Sequence, residues 1–299
     1  MQRVTTLGST TNSKVWIDVA SKRLQQGEQR VATGLRFERA SEAPANAAAL
    51  LRTERSLGRL EQLDRNADNA RLWLNTVHTA LNDSVDTMTR ARTRLVQGAN
   101  DTNTSESRQA IAADIRAAAD ELLSLANTSV NGRPIFAGTS GGATAYDSAG
   151  NYLGDGGGVV RSISSTDSFT VAAPGPLVFG TFNGASPYAG TAFQVLRAAA
   201  DAVEIGDVAG ARAGLEAIDA ATGRVQSEIG RAGSLAARLD EIQIRNEDSK
   251  ISLKSQISEL VDVDLAEGIM DVKAAETSYE ATLSAASRSL GRSLLDFLR

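Results

Sequence analysis

The feature that most constrains the fold is a row of apolar residues between Leu60 and Leu95. Its members are alternately three and four residues apart, a spacing that keeps them on one face of a coiled-coil helix. The row consists of Leu60, Leu63, Ala67, Ala70, Leu74, Val77, Leu81, Ser84, Met88, Ala91 and Leu95, and only Ser84 is polar. The positions between them are mainly polar. The row therefore predicts a helix about 54 Å long whose narrow apolar stripe must pack against other helices.

Two further tracts supply partners for this stripe. Residues 105–127 carry Ile111, Ile115, Leu122 and Leu125. The tract from residue 208 repeats the spacing at Leu215, Ile218, Thr222, Val225, Ile229, Ala232, Ala236 and Leu239. All five prolines fall at 44, 134, 174, 176 and 187, so the strongest helix breaker is absent from 45–133 and 188–299. We expect 45–131 and 191–261 to lie antiparallel in a bundle.

Residues 132–190 differ in composition, because they hold 13 of the 26 glycines and only five charged residues. Apolar runs between turn residues, such as Phe169-Thr170-Val171, predict short strands. The predicted fold class is mainly α, a long antiparallel helical bundle or coiled coil made from the N- and C-terminal segments, with a small β-rich insert in the middle. The predicted divisions are terminal coiled-coil helices in 1–43 with 262–299, a helical bundle in 44–134 with 188–261, and the insert in 135–187.

Both ends of the chain carry stripes of their own. The first is Ile17, Ala20, Leu24, Gly27, Val31 and Gly34; the second is Leu265, Ile269, Val272, Glu276, Tyr279, Leu283, Ala286 and Leu290, then Leu294 and Phe297 after one slipped step. Each internal glycine costs a helix about 1 kcal/mol relative to alanine. We therefore expect these ends to be mobile in the monomer and ordered in an assembly. The predicted assembly interface is Ile17, Leu24, Val31, Ile269, Val272, Tyr279, Leu283, Leu290, Leu294, Leu295 and Phe297.

Composition argues against several function classes. The net charge of -5 gives no footprint for nucleic acid, whose binding depends on clustered Lys and Arg. The chain contains no cysteine, which excludes disulfides and thiolate chemistry. The N-terminus lacks the apolar core of a cleaved signal peptide, and no run of about 18 apolar residues occurs. We expect no membrane insertion, and export, if it occurs, without a cleaved signal peptide.

No motif points to catalysis, a metal or a cofactor. His78 is the only histidine, and no cysteine or second histidine could join it on a metal. The run Gly154-Asp155-Gly156-Gly157-Gly158 lacks the lysine and spacing of a phosphate-binding loop, and a turn explains it better. Asp262, Asp264 and Glu267 do not follow the calcium-loop pattern and are explained by a helix start. We expect that the protein is not an enzyme and binds no cofactor.

Several short segments resemble one known family. Leu24 to Ala49 reads LQQGEQRVATGLRFERASEAPANAAA, in which Ser41-Glu42-Ala43-Pro44-Ala45 departs from an A-S-D-D-P-A pattern. Asn131 to Gly138 is similar to N-G-R-Y-L-F-A-G, with Pro134 replacing an aromatic residue. Asp262 to Glu267 resembles D-x-D-L-A-E, and 293–298 reads S-L-L-D-F-L. These segments resemble the bacterial flagellin family, and the C-terminal ending resembles its subunits at the hook-filament junction. The resemblance covers about 1–138 and 191–299.

The resemblance implies a structural subunit of the bacterial flagellum that adapts the hook to the filament. It implies export through the flagellar type III apparatus with an export chaperone, an extracellular location in the flagellum, and self-association in a ring. It also implies hook-associated protein 1 and flagellin as partners. By the same resemblance, the terminal helices would line the inner tube and the insert would face outward.

Three alternatives stay open. A filament flagellin is the nearest, and polymerisation of the purified protein on seeds would distinguish it. A cytoplasmic coiled-coil scaffold is disfavoured by the insert and the C-terminal ending, and its presence in the cytosol alone would favour it. An enzyme carried in the insert would need a convergent polar pocket.

Overall fold

The structure, a computed structural model, describes the backbone of residues 2–297 apart from 101, 165–167, 172 and 182–185. In the two terminal helices it describes side chains between residues 12 and 288. The helices of this part are α1 (Gln2–Thr33), α2 (Pro44–Gly98), α3 (Ser105–Ala126), α4 (Gly175–Phe179), α5 (Ala192–Ile205), α6 (Val208–Val261) and α7 (Leu265–Phe297). The strands are β1 (Ser129–Val130), β2 (Arg133–Pro134), β3 (Val160–Ser162) and β4 (Ser168–Thr170). The predicted mainly α fold is confirmed.

The chain forms two compact units. Unit 1 consists of Met1–Arg59 with Ser249–Arg299, and unit 2 consists of Leu60–Asp248. Both borders fall inside long helices, α2 and α6, and each helix continues across its border. The domain limits at 43, 134, 188 and 261 stay predictions.

The stripe on α2 lies in the core of unit 2. Each of its predicted positions from Leu63 to Leu95 is buried, and Leu60 is half-buried. Ser84 is accommodated because its hydroxyl donates to the backbone oxygen of Ala80 at 2.6 Å, which satisfies a polar group that burial would otherwise penalise. The predicted positions from Leu215 to Leu239 on α6 are likewise buried or half-buried.

Ion pairs within unit 2 define how its helices run. Arg71 on α2 pairs with Asp240 on α6, and further along the same helix Arg92 pairs with Asp219 at 2.7 Å. The partner number falls as the α2 number rises, so α2 and α6 are antiparallel, as predicted. About half of each of these side chains is exposed, and such pairs stabilise little, so the apolar core carries most of the packing energy.

The segment between α3 and α5 shares the core of unit 2. Its first strand pair, β1 with β2, turns at Asn131 (φ 53°) and Gly132 (φ 76°), the two left-handed conformations that a tight two-residue hairpin requires. The strand pair of β3 and β4 is also antiparallel. Phe179 packs edge to face against both Phe136 and Tyr146, and its ring centroid lies 5.3 Å from that of Phe136. These rings and the helical residues form one apolar cluster.

Candidate assembly interface

Unit 1 is organised by the pairing of α1 with α7. On α1, Ile17, Leu24 and Val31 are half-buried and Ala20 is buried, while most positions between them are exposed. In the coiled-coil repeat abcdefg, Ile17, Leu24 and Val31 occupy position a, and Ala20 and Gly27 occupy position d. The stripe predicted for the N-terminal helix is therefore the face that packs.

The packed face of α7 differs from its predicted stripe. Its buried and half-buried positions are Gly268, Val272, Ala275, Tyr279, Thr282 and Ala286. Glu276, at the edge of this face, is also half-buried. By contrast, Leu265, Ile269 and Leu283 are 55%, 56% and 40% exposed. They lie beside the seam, because small residues at position d allow α1 to come close, which leaves larger residues outside it. Their role in assembly stays a prediction.

Two glycines set how closely α1 and α7 approach. A Cβ added to Gly27 would lie 3.1 Å from Val272 Cγ2, and a Cβ added to Gly268 would lie 3.1 Å from Val31 Cγ2. Each glycine thus accommodates a valine of the other helix, and the two contacts run in opposite directions along the chain. This pairing fixes an antiparallel register and explains why α1 tolerates a glycine that weakens an isolated helix.

A short backbone clasp joins the inner ends of α1 and α7. Gly34 has φ +71°, a left-handed conformation that ends a helix readily at glycine. The chain then forms a bridge in which Arg36 N donates to Val261 O at 2.7 Å and Val263 N donates to Gly34 O at 2.8 Å. The segment that follows α1 and the segment that precedes α7 are therefore hydrogen-bonded to each other within unit 1.

Acidic side chains in the two turns of unit 1 accept hydrogen bonds from backbone N–H groups and a hydroxyl. Asp264 Oδ1 accepts from the N–H of Ala266 at 2.9 Å, so this carboxylate caps α7, as the helix-start interpretation predicted. Asp262 accepts from the hydroxyl of Ser258. Glu42, which stands where the family pattern has an acid pair, accepts from the N–H of Glu38 at 3.1 Å.

Large apolar side chains remain uncovered on both helices. On α1, Val15 is 52%, Trp16 65% and Val19 39% exposed. Trp16 and Val19 border a shallow groove whose α7 side is built from small residues, including Ala281 and Ala285. The a and d positions alone do not predict these α1 residues. A tryptophan immediately before an a position is the signal in the sequence.

Four predicted interface residues cannot be placed on a surface. Leu290, Leu294, Leu295 and Phe297 belong to α7, but their side chains lie outside the described residues. Of the described members of the predicted interface, Ile17, Leu24, Val31, Val272 and Tyr279 lie in the seam, and Ile269 and Leu283 lie beside it.

The motifs with a possible chemical role are His78 and the glycine-rich run at 154–158. His78 is exposed on α2, and no group of three metal-binding side chains occurs among the residues that the structure describes. In the glycine-rich run, Asp155 accepts from the N–H of Thr139 at 2.6 Å and from its hydroxyl. These bonds hold the pKa of Asp155 below its ordinary value. Within the same described part, no helix is long and apolar enough to cross a membrane.

Comparison with known protein families gives two matches. The family model for the bacterial flagellin N-terminal helical region matches residues 4–141. The model for the bacterial flagellin C-terminal helical region matches residues 215–298. Together they cover about three quarters of the chain and leave out most of the insert and α5.

Individual relatives match over different lengths. The chain is 25% identical over 285 residues to flagellar hook-associated protein 3 of Escherichia coli (strain K12), covering 86% of this chain and 88% of that protein. It is 31% identical over 112 residues to a flagellin of Clostridium tyrobutyricum, covering 38% of this chain and 30% of that protein. The match to this flagellin thus spans less than a third of its length.

A solved structure has the same fold. The crystal structure of flagellar hook associated protein-3 from Legionella pneumophila superimposes with a TM-score of 0.61, covering 70% of this chain and 98% of that one. The two sequences are 15% identical.

Proposed function

Since this chain belongs to the bacterial flagellin family, we propose that it is the structural adaptor subunit at the junction between the flagellar hook and the filament. The family is one of flagellar structural proteins, and membership makes the chain a component of the bacterial flagellum that assembles with other flagellar components.

The observation that carries the proposal is the contrast in coverage between two kinds of relative. The match to hook-associated protein 3 extends over 88% of that protein, whereas the match to the Clostridium flagellin extends over 30%. The aligned segments of this chain therefore follow the same order along most of hook-associated protein 3. The S-L-L-D-F-L ending at 293–298 supports the same position.

The proposed mechanism is packing of the terminal helices. The described part of unit 1 buries few apolar side chains, namely Ala20, Phe37, Ala47 and Ala286. It leaves Trp16, Ile269 and Leu283 exposed, and burying large apolar surface favours association. Assembly would cover these residues, together with the predicted interface positions Leu290, Leu294, Leu295 and Phe297.

The proposed partners follow from the junction. Hook-associated protein 1 would contact the subunit on the hook side and flagellin on the filament side, with further copies of this chain beside it in a ring. The flagellar export apparatus and an export chaperone would deliver the chain, without a cleaved signal peptide, to an extracellular position.

Deleting residues 290–299 tests the proposal. We expect the truncated chain to keep the thermal transition of unit 2, because the apolar core of that unit lies between Ala67 and Ile242. We expect it to be absent from the hook tip when it replaces the full chain in a motile bacterium, as measured by immunogold labelling of sheared hooks. Normal labelling of the tip by the truncated chain would contradict the proposal.

A filament flagellin is the second candidate, and the 31% identity to the Clostridium flagellin favours it. Seeded polymerisation separates the two functions. A filament subunit grows long filaments from flagellin seeds, whereas a junction subunit adds only at the end of the hook. Long filaments made of this chain alone would replace the proposal by the alternative.

A further inference from the structure

We infer that residues 140–154 form a lid loop that opens as one body and uncovers the aromatic cluster of unit 2. The two ends of the lid loop meet at a neck, where Asp155 accepts hydrogen bonds from the N–H of Thr139 at 2.6 Å and from its hydroxyl. A surface loop of this size whose ends are joined is an Ω-loop, a compact element that is frequently functional. The lid loop lies in unit 2, and its opening does not depend on the proposed function.

Three side chains of α5, which together form the α5 latch, hold the far end of the lid loop. They lie three residues apart and donate to three successive backbone oxygens: Thr191 to Gly150 O at 3.5 Å, Gln194 to Ala149 O at 3.2 Å, and Arg197 to Ser148 O at 2.9 Å. Arg197 also donates to Asp120 on α3 at 2.8 Å. Hydrogen bonds that involve a charged group are stronger than neutral ones. Arg197 therefore contributes the largest part of the latch.

A second helix holds the inner part of the lid loop. Asn127, at the C-terminal end of α3, accepts from Ala145 N and Tyr146 N at 2.8 Å each and donates to Tyr146 O at 3.0 Å. Among the described residues, no strand joins the lid loop to the rest of unit 2, and its bridge between Tyr146 and Tyr152 is internal. Side chains rather than a sheet therefore hold the lid loop closed, and water replaces such hydrogen bonds at a small net cost.

Glycines lie just inside both ends of the lid loop. Gly141 and Gly142 are exposed, and a Cβ added to Gly141 would meet no described atom within 4 Å. At the other end, Gly154 directly precedes the anchored Asp155. Glycine adopts backbone conformations that other residues avoid, so these positions can absorb the rotation that opening requires.

The lid loop buries little apolar surface. Its buried residues are Ala145, Tyr146 and Gly150, whereas residues 141–144 are exposed. The Tyr146 hydroxyl is buried without a hydrogen-bond partner among the described residues, and opening hydrates it. Regions of this kind open locally at a lower free energy than the core. Because the lid loop buries Tyr146, whereas unit 1 buries mainly alanine, its opening requires more free energy than the opening of unit 1.

Opening would expose the first turn of α5. A Cβ added to Gly150 would lie 2.6 Å from Phe193 Cδ2. The rings of Tyr146 and Phe193 are nearly perpendicular, with centroids 5.0 Å apart. Phe193 is fully buried in the closed state, and Phe179 lies behind it with its centroid at 6.2 Å. Moving Gly150 and Tyr146 away presents an apolar aromatic surface, the kind of patch that binds other apolar groups.

Hydrogen exchange of the full-length chain tests the opening. Arg197→Ala removes the charged member of the α5 latch. We expect the amides of Tyr146, Gly150 and Leu153 to exchange about tenfold faster, all by one common factor, because the open state is favoured by the loss of these hydrogen bonds. The amides of Leu81 and Leu95 in α2 should keep their rates. The dye ANS, which binds exposed apolar surface, should fluoresce more strongly with the variant than with the parent.

A matched control is Arg116→Ala. Arg116 also joins α3 to α5, through Asp201 at 2.6 Å and through Glu204, but it has no hydrogen bond to the lid loop. Its loss should leave exchange in the lid loop unchanged. Equal acceleration by Arg116→Ala, unequal factors for the three amides, or unchanged ANS fluorescence in Arg197→Ala would overturn the inference.

A second variant acts from the lid loop itself. Gly150→Ala places a Cβ against Phe193 and leaves the α5 latch in place. We expect it to accelerate the same three amides by a common factor. If Arg197→Ala also accelerates the α2 amides, that variant loosens the whole unit, and Gly150→Ala decides the matter. Parent-like exchange of the lid loop in Gly150→Ala would then show that the loop does not open as one body.

Discussion

Single residues decide how closely the helices of unit 2 pack, and glycine is the clearest case. A Cβ added to Gly214 on α6 would lie 2.5 Å from the Cβ of Ala199 on α5. Such a distance is too short for two carbon atoms, and neither residue has a flexible side chain that can turn away. Glycine lowers the helix propensity of α6 at this position, but it allows α5 and α6 to pack closely.

Replacing Gly214 with alanine is therefore expected to destabilise the protein by about 1 to 3 kcal/mol, the usual cost of overpacking a core. Gly230→Ala on the same helix is the matched control, because an added Cβ there meets no described atom within 4 Å. It should stabilise by about 0.5 to 1 kcal/mol through better helix propensity. Urea unfolding of both variants measures the difference, and equal shifts of the same sign would contradict the packing argument.

A carboxylate in the insert gives the protein an acid-sensitive contact. The hydroxyl and the N–H of Thr139 lower the pKa of Asp155. A carboxyl group whose pKa is lowered by folding stabilises the folded state at pH values above its pKa in the unfolded chain, which is about 4. This stabilisation is lost as the pH falls through the pKa of the folded state. We expect Asp155→Asn to lower the urea midpoint at pH 7 and to flatten its decline in acid.

The control for this substitution is Asp83→Asn, because Asp83 is exposed and accepts no hydrogen bond from a described residue. Its urea midpoint should follow the parent protein between about pH 7 and about pH 3. A decline in Asp155→Asn as steep as that of the parent would show that this carboxylate does not carry the acid dependence.

At the scale of elements, the sequence predicts a stripe well where large residues form it. On α2, leucine, methionine and valine mark the core positions, and the structure buries them. On α7, the packed d positions are Gly268, Ala275 and Thr282, which look no more apolar than a solvated face. The alternation of spacing was present, but the larger Ile269 and Leu283 drew the prediction one position away.

The start of α7 is an element whose stability depends on one cap. Asp264→Ala removes the acceptor for the N–H of Ala266, and the loss of such a cap costs about 1 kcal/mol. We expect faster hydrogen exchange in the first turn of α7 than in the parent chain. Asp271→Ala, in the interior of the same helix, should leave that turn unchanged. Unaltered exchange in the Asp264 variant would exclude a capping role.

At the scale of the whole molecule, the sequence predicted the helical tracts but gave no sign of where the units divide. The borders lie inside α2 and α6, where the helix continues across each border and only long-range packing differs. The insert was predicted as β-rich, but the described strands have two or three residues each. Its order comes from side chains such as Asn127, whose amide oxygen accepts from Ala145 N and Tyr146 N at 2.8 Å.

This division predicts how the intact chain responds to a protease. Unit 2 contains the large buried side chains of the main apolar cluster, from Ala67 to Ile242, whereas the described part of unit 1 buries mainly alanine, with Phe37 as its one large member. Regions with little buried apolar surface open locally at a lower free energy and are cleaved first.

We expect limited digestion to cut within residues 1–59 and 249–299 before it cuts unit 2. Mass spectrometry should then identify a product that retains residues 60–248. In a thermal melt, this product should keep the midpoint of the full chain. An earliest stable cut between residues 67 and 242 would contradict this order, because it would place the weakest packing inside the cluster that the structure makes the largest.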